Sequence, residues 1–169
     1  MNAIKNFNEI ENFTPIAHDL IELLGRVDNQ DVAAEFPGSV ARYTGNADQV
    51  IHNLIETKYA CRPGVRQQFI AFAGERAVGI SAVRFADEVP SGIEPSWPNV
   101  SGFVCSPYRN RGIGRMSLLE RLKVVDSQFN GNAWTKVKQS NIHSHRMVTH
   151  AGFEVIGEDN DSFVYAYHA

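Results

Sequence analysis

The stretch FVCSPYRNRGIGR, Phe103 to Arg115, joins an apolar run to a proline and then to three arginines interleaved with two glycines. The run NVSGFVCS is rich in strand-forming residues, and the sequence after Gly114 has the apolar spacing of an amphipathic helix. A strand that turns into a helix through glycines leaves the first helical amides unbonded and lets an anion approach the backbone.

The arginines of this stretch sharpen the interpretation. Arg109, Arg111 and Arg115 lie at or near the positive end of the helix dipole, where a positive charge is unfavourable. Acidic residues would be expected there if the only role of these positions were to stabilise the helix. A solvated basic helix start and an anion site both remain open on this evidence. A dinucleotide fingerprint is excluded, because Ser117 stands where its third glycine belongs and no acid follows about 20 residues on. A Walker loop is excluded by the missing G-K-[ST] ending.

The composition is that of an ordinary globular protein. The chain has 169 residues, of which 43% are hydrophobic and 21% charged, which favours one domain with a sizeable core. The net charge of −3 disfavours a dedicated nucleic-acid binder. The N-terminus lacks the pattern of a signal peptide, and no apolar run approaches the ~20 residues of a membrane span. We therefore expect a soluble, cytoplasmic protein.

The order of elements follows from periodicity and breaker residues. Two amphipathic helices come first, PIAHDLIELLGRV and NADQVIHNLIETKYA, the second with Asn46 as N-cap; a Pro-Gly turn signal lies between them. A hairpin turning at Gly74-Glu75, the strand NVSGFVCS, a long helix, the strand NAWTKVK, a short helix ending at Gly152 and a final hairpin around DND follow. Helix, helix and then β-β-β-α-β-α-β-β predict a mixed sheet with a crossover.

The segment Arg109-Asn-Arg-Gly112-Ile-Gly114, preceded by Cys105-Ser-Pro107, resembles the R/Q-x-x-G-x-G/A signature of the GNAT N-acetyltransferases. The helix from Asn141 to Gly152-Phe153 stands at the distance expected of that superfamily, and the resemblance covers Arg66 to Ala169. It implies an α/β (α+β mixed) single-domain GNAT-like fold. The sheet would be mixed and mostly antiparallel, with about six to seven strands flanked by helices. Residues 1–65 would be variable acceptor-side helices, and residues 66–169 the acetyl-CoA-binding core.

The resemblance also implies a cosubstrate and the residues that hold it. Loop amides would bind the pyrophosphate of acetyl-CoA, and the preceding strand would hold the pantetheine arm and polarise the acetyl carbonyl. The implied residues are Phe103, Val104, Cys105, Arg109, Asn110, Arg111, Gly112, Ile113, Gly114, Arg115, Asn141 and Ser144.

One position departs from the family pattern. Many members carry a tyrosine seven residues after the asparagine, proposed to protonate the leaving thiolate, where this chain has Val148. Ser144, three residues after Asn141, is similar to the branch that includes the ribosomal-protein N-terminal acetyltransferases. A free thiol has a pKa near 8.5, so the release of an unprotonated thiolate at neutral pH costs roughly 2 kcal/mol. Ser144, His145 and His143 are candidate proton donors for this thiolate.

The acceptor amine decides how much a general base matters. A lysine-like amine costs roughly 4 kcal/mol to deprotonate at neutral pH, and an N-terminal α-amine only about 1. Candidate bases are Asp87, Glu88 and Glu94 in the loop before the third strand, acting through water; each is also consistent with an ordinary solvated loop. Holding the amine and the thioester together supplies about 7–11 kcal/mol by itself.

Other chemistries fit less well. His143, His145 and His150 lack the i, i+4 spacing of a zinc pair, and nothing near Cys105 supports a covalent route, so we expect no metal and a small core cysteine. The leading hypothesis is an acetyl-CoA-dependent N-acetyltransferase acting on a small-molecule or peptide amine by direct attack in a ternary complex. The alternatives are a transferase of a longer acyl group and a catalytically silent coenzyme A-binding sensor. We expect no nucleic-acid or membrane partner; a homodimer is compatible with the sequence.

Overall fold

A computed structural model describes all residues from Met1 to Ala169. Two short 3₁₀ turns, Phe7–Glu9 and Val27–Asn29, accompany seven strands and six helices. In chain order these are β1 (Asn2–Asn6), α1 (Thr14–Leu24), α2 (Gln30–Glu35), α3 (Pro37–Tyr43), α4 (Ala47–Ala60), β2 (Arg66–Ala73), β3 (Arg76–Arg84), β4 (Asn99–Val104), α5 (Ile113–Gln128), β5 (Asn132–Lys138), α6 (Ile142–His150), β6 (Glu154–Asp159) and β7 (Ser162–His168). None of the helices has the length and apolar character needed to cross a membrane.

The strands form one sheet in the order β1-β2-β3-β4-β5-β7-β6. The pairs β1/β2, β5/β7 and β6/β7 are antiparallel, whereas β4 and β5 pair in parallel at Asn99 and Trp134. A parallel pair requires a crossover, and α5 supplies it. The expected α/β fold with a mixed, mostly antiparallel sheet of six to seven strands flanked by helices is therefore confirmed.

The prediction was wrong at the N-terminus, where a strand precedes the first helix. In β1, Asn2 pairs with Ala73 and Asn6 with Phe69 of β2. The segment NAIKN has only two apolar residues and little strand propensity of its own, so its backbone bonds to β2 decide its structure. Helices α2 and α3 were also missed, because Pro37 begins α3 instead of marking a turn.

The chain forms two compact units. The first comprises Met1–Arg62, Gln68–Ser81 and Gly102–Ser117. In α1 the side chains of Ile16, Leu20, Leu23 and Leu24 are buried in its core, as expected of an amphipathic helix. Val27, the last residue of the segment predicted to be helical, lies past the helix end and is 79% exposed. Asn46 caps α4 as predicted, accepting hydrogen bonds from the amides of Asp48 and Gln49.

The second unit comprises Pro63–Gln67, Ala82–Ser101 and Leu118–Ala169. Ile93, Trp134, Val164 and Ala166 form one of its buried clusters. The predicted end of α6 at Gly152 is confirmed, with φ +95° and a Schellman motif: Phe153 N–H donates to the Val148 carbonyl at 3.1 Å and Gly152 N–H to the Thr149 carbonyl at 3.1 Å.

Two glycines permit β3 and β4 to approach closely in the first unit. A Cβ at Gly102 would collide with Ser81 Cβ and would stand 2.9 Å from Ser81 Cα. A Cβ at Gly79 would collide with the Phe103 carbonyl oxygen. Residues larger than glycine are therefore excluded at both positions, by Ser81 at Gly102 and by the Phe103 backbone at Gly79. The close approach of β3 and β4 depends on these two glycines.

We therefore expect Gly102→Ala to lower the free energy of unfolding by about 1–3 kcal/mol through overpacking. Gly38→Ala is the matched control, because a Cβ there meets nothing within 4 Å and Gly38 lies inside α3. The control should leave stability unchanged or raise it by up to about 1 kcal/mol. Urea unfolding checks both, and equal midpoints for Gly102→Ala and the wild type would contradict the packing argument.

Candidate functional site

The loop between β4 and α5 is held by hydrogen bonds at its start and by glycine geometry at its end. Cys105 N–H donates to the Val78 carbonyl of β3 at 2.8 Å, and the Cys105 carbonyl accepts from Tyr108 N–H at 2.9 Å. Asn110 and Gly112 adopt positive φ values of 60° and 79°, which turns the chain into α5. The predicted residues from Phe103 to Arg115 thus lie together, all within the first unit.

The N-terminus of α5 is open. Met116 N–H donates to the Gly112 carbonyl at 3.0 Å, so Gly112 holds the N-cap position, and a glycine has no side chain with which to cap the amides of Ile113, Gly114 and Arg115. A Cβ at Gly112 would meet nothing within 4 Å, so its left-handed φ, not crowding, requires glycine. The buried Ile113 side chain fixes the start of the helix in the core.

The three arginines of the loop have different surroundings. Arg109 makes a bidentate contact with Asp31, at 2.6 and 3.1 Å, and its Nε donates to the Val104 carbonyl at 2.8 Å. Arg111 is exposed and stacks over the Tyr108 ring at 5.4 Å from its centroid, and Arg115 is exposed. Neither Arg111 nor Arg115 has a carboxylate partner. Two unpaired cations therefore stand beside three uncapped amides, and this arrangement suits an anion such as a diphosphate.

Cys105 is fully buried where the strand ends. Burial raises the pKa of its thiol to about 12, so the group is a neutral thiol at pH 7. Its environment is that of a small core residue and not of a nucleophile.

In the second unit, α6 carries three of the predicted residues. Asn141 caps the helix, its Oδ1 accepting from Ser144 N–H at 3.1 Å. The half-buried Ser144 hydroxyl has no hydrogen-bond partner within the protein. His145 Nε2 faces the carbonyls of Lys138 and Gln139 at 2.9 and 3.3 Å, which requires Nε2 to carry the proton; Nδ1 then accepts from the Tyr165 hydroxyl at 2.7 Å in the neutral ring.

The remaining predicted groups also lie in the second unit, in different surroundings. Glu88 and Glu94 are exposed in the loop before β4, and the carboxylate of neither makes a hydrogen bond or an ion pair within the protein. Val148, at the position where a tyrosine was expected, is 4% exposed. His143 is exposed on α6, and no group of three His, Cys, Asp or Glu side chains in the structure could hold a metal ion.

Sequence reasoning missed two residues that contact the loop. Asn29 bonds to the backbone of Ser106 and Asp31 to Arg109, over separations of 77 and 78 residues. Neither residue belongs to a motif, and no local pattern reports a contact over such a distance.

No family model matches this chain, and no curated protein matches it in sequence. Solved structures do match it. PaiA N-acetyltransferase from Thermoplasma acidophilum, in complex with coenzyme A, superposes with a TM-score of 0.69 at 15% identity over 100% of this chain and 99% of that one. An acetyltransferase of the GNAT family from Streptococcus pneumoniae gives 0.68 at 14% identity over 100% of both chains. The chain has the GNAT acetyltransferase fold.

A third solved structure also superposes on this chain. The ribosomal-protein-S5-alanine acetyltransferase from Vibrio fischeri gives a TM-score of 0.71 at 13% identity, over 99% of this chain and 92% of that one. At such identities the likeness concerns the GNAT fold, and the roles of individual residues rest on the chemistry of this chain.

Proposed function

We propose that this protein is an acetyl-CoA-dependent N-acetyltransferase that acetylates a primary amine of a small molecule or a peptide by direct attack in a ternary complex. The observation that carries the proposal is the open N-terminus of α5, with three uncapped amides and the unpaired Arg111 and Arg115 beside them. Backbone amides at a helix start and arginine side chains are the donors that phosphates favour. PaiA N-acetyltransferase, which shares the fold, was solved with coenzyme A.

The loop residues fit the coenzyme, because the N-cap Gly112 has no side chain to bond the amides of Ile113, Gly114 and Arg115, and a Cβ added at Gly112 would meet nothing within 4 Å. Bound there, the coenzyme supplies an activated acetyl thioester. In this proposal Phe103 and Val104 form the strand edge for the pantetheine arm. Cys105 lies behind that edge, because its N–H is donated to Val78 and its thiol is buried.

Direct transfer forms a C–N bond and breaks the thioester C–S bond, so the amine loses one proton and the thiolate gains one. The buried, neutral Cys105 thiol argues against an acyl-cysteine intermediate. Glu88 and Glu94 are the proposed bases, acting through water, since both carboxylates are exposed and free of partners. A positioned base is needed more for a lysine-like amine, at about 4 kcal/mol, than for an α-amine, at about 1 kcal/mol.

The proton donor for the thiolate is proposed to be Ser144. Its hydroxyl is free of protein partners, whereas both ring nitrogens of His145 are engaged by Tyr165 and by carbonyls at the end of β5. His145 therefore acts as the residue that fastens the first turn of α6, which carries Ser144, to β5 and β7.

A second candidate function is a coenzyme A-binding sensor without catalysis. The buried Val148 lies where many family members carry the tyrosine proposed to protonate the thiolate. This favours the sensor over the enzyme if Ser144 does not donate that proton. A transferase of a longer acyl group is a further alternative, because a diphosphate site does not select the acyl chain.

We expect Ser144→Ala to lower kcat about tenfold or more, because general acid catalysis is commonly worth 10²–10⁴-fold, while the KM for acetyl-CoA changes little. Thr149→Ala is the control, since it removes a hydroxyl from an exposed position of the same helix. Steady-state kinetics against one amine measures both variants. A kcat of Ser144→Ala within twofold of the wild type would exclude Ser144 as the donor.

The coenzyme site is tested by titration calorimetry with coenzyme A. Gly112→Glu should weaken binding at least ~100-fold, about 2.7 kcal/mol, because it places a carboxylate against the diphosphate. Gly74→Glu, in the β2–β3 turn, is the matched control: both glycines have a positive φ and neither has an atom within 4 Å of an added Cβ. The control should bind coenzyme A within about threefold of the wild type.

Thiol release from acetyl-CoA against a panel of small amines and peptides separates the candidate functions. Turnover that is lost in Gly112→Glu supports the transferase. Binding of coenzyme A without turnover on any amine supports the sensor, and a wild type that does not bind coenzyme A contradicts both.

A further inference from the structure

The turn between α1 and α2 reaches the coenzyme loop with two side chains. Asn29 ends the 3₁₀ turn Val27–Asn29, and Asp31 lies in the first turn of α2. Both contact the start of the loop, at Ser106 and Arg109, and all four residues belong to the first compact unit. Neither side chain contacts the uncapped amides of α5.

Asn29 is completely buried and uses its whole carboxamide. Its Oδ1 accepts from Ser106 N–H at 2.7 Å, and its Nδ2 donates to the Ser106 carbonyl at 3.1 Å and to the Leu23 carbonyl at 2.7 Å. These bonds tie the end of α1 to Ser106, the second residue after β4. Only a neutral amide can donate and accept in this way, so an aspartate would place a buried charge against two carbonyl oxygens.

Asp31 acts on the loop through Arg109. Its carboxylate holds the guanidinium in a bidentate pair, and the same guanidinium donates from Nε to the Val104 carbonyl. Burial alone would raise the pKa of Asp31, but the hydrogen bond and charge of Arg109 outweigh it, and the net pKa lies below the ordinary value. The pair therefore stays ionised throughout the neutral range. Arg109 is neutralised inside the protein, unlike Arg111 and Arg115.

The loop depends on such anchors, because Ser106 to Gly112 lies outside the helices and strands and includes two residues with positive φ. A binding loop held in one conformation loses less conformational entropy when its ligand binds. We infer that Asn29 and Asp31 are positioning residues that hold the β4–α5 loop in its diphosphate-binding conformation without touching the coenzyme. The inference rests on the proposed function of that loop.

The test compares Asp31→Asn and Asn29→Ala with the wild type by calorimetry with coenzyme A. We expect the Kd to rise about 5-fold or more for Asp31→Asn and about 10-fold or more for Asn29→Ala, with Asp31→Glu restoring most of the affinity. Glu56→Gln is the matched control, because it breaks the ion pair between Glu56 and Arg42. The side chains of Arg42 and Glu56 are 42% and 53% exposed, close to the 37% and 57% of Arg109 and Asp31. The control should leave the Kd unchanged.

Two readouts separate positioning of the loop from general stabilisation of the fold. Ser106 amide hydrogen exchange, measured without coenzyme, should accelerate in Asn29→Ala more than exchange at Val50, a buried residue in the first turn of α4 whose N–H donates to the Asn46 carbonyl. In Asp31→Asn and Asn29→Ala, kcat/KM should fall with acetyl-CoA but stay unchanged with S-acetylpantetheine, which lacks the diphosphate. Equal losses with both thioesters would show a merely structural role and overturn the inference.

The outcomes distinguish this inference from the function on which it rests. A wild type that binds coenzyme A, with folded Asp31→Asn and Asn29→Ala that bind it equally well, overturns the inference alone. A wild type that binds no coenzyme A overturns the proposed function and the inference together.

Discussion

The amides of Ile113, Gly114 and Arg115 have no intrahelical acceptors, and Gly112 offers no side chain to bond them. A helix with such a start needs water or a ligand there, and the chain adds Arg111 and Arg115 instead of the acids that a free helix N-terminus favours. Neighbouring residues fix the position of the α5 N-terminus. The left-handed Gly112 aims the turn, the buried Ile113 fixes the first helical residue, and Ser81 meets Ser117 of α5 at 2.8 Å between hydroxyls.

The charges of the loop are divided between structure and binding. Arg109 is paired with Asp31, and we propose that it contributes to the shape of the loop. Arg111 and Arg115 have no carboxylate partner, and we propose that their charge serves the ligand. Surface ion pairs are commonly worth less than about 1 kcal/mol, and the value of this one lies in its bidentate geometry and in the bond from Arg109 to the end of β4. A similar division of roles occurs on α6, where both ring nitrogens of His145 are hydrogen-bonded within the protein and the Ser144 hydroxyl has no protein partner.

Features with local causes could be predicted from the sequence. Asn46 caps α4, Gly152 ends α6, and β5 runs over the predicted residues, because capping and left-handed glycine depend on a few neighbouring residues. Strand β1 could not be predicted, since its pairing with β2 and not its composition makes it a strand. The apolar spacing predicted that α5 is an amphipathic helix but not which residues it buries: Met116 and Leu119 are exposed, while Ser117 and Arg121 are buried, because tertiary packing decides which face is covered.

The candidate site shows the same limit. The glycines and arginines of the loop were found from their spacing, but the anchors Asn29 and Asp31 lie far away in sequence, and only folding brings them to Ser106 and Arg109. Whether each arginine serves the loop or a ligand likewise depends on a partner that the sequence does not show.

The central claim is that the start of α5 holds the coenzyme diphosphate. An NMR titration of amide resonances with coenzyme A, and in parallel with pantetheine, tests it most directly. We predict that the amide resonances of Ile113, Gly114 and Arg115 shift strongly with coenzyme A and hardly at all with pantetheine. Equal shifts with both ligands, or shifts confined to other parts of the chain, would contradict it.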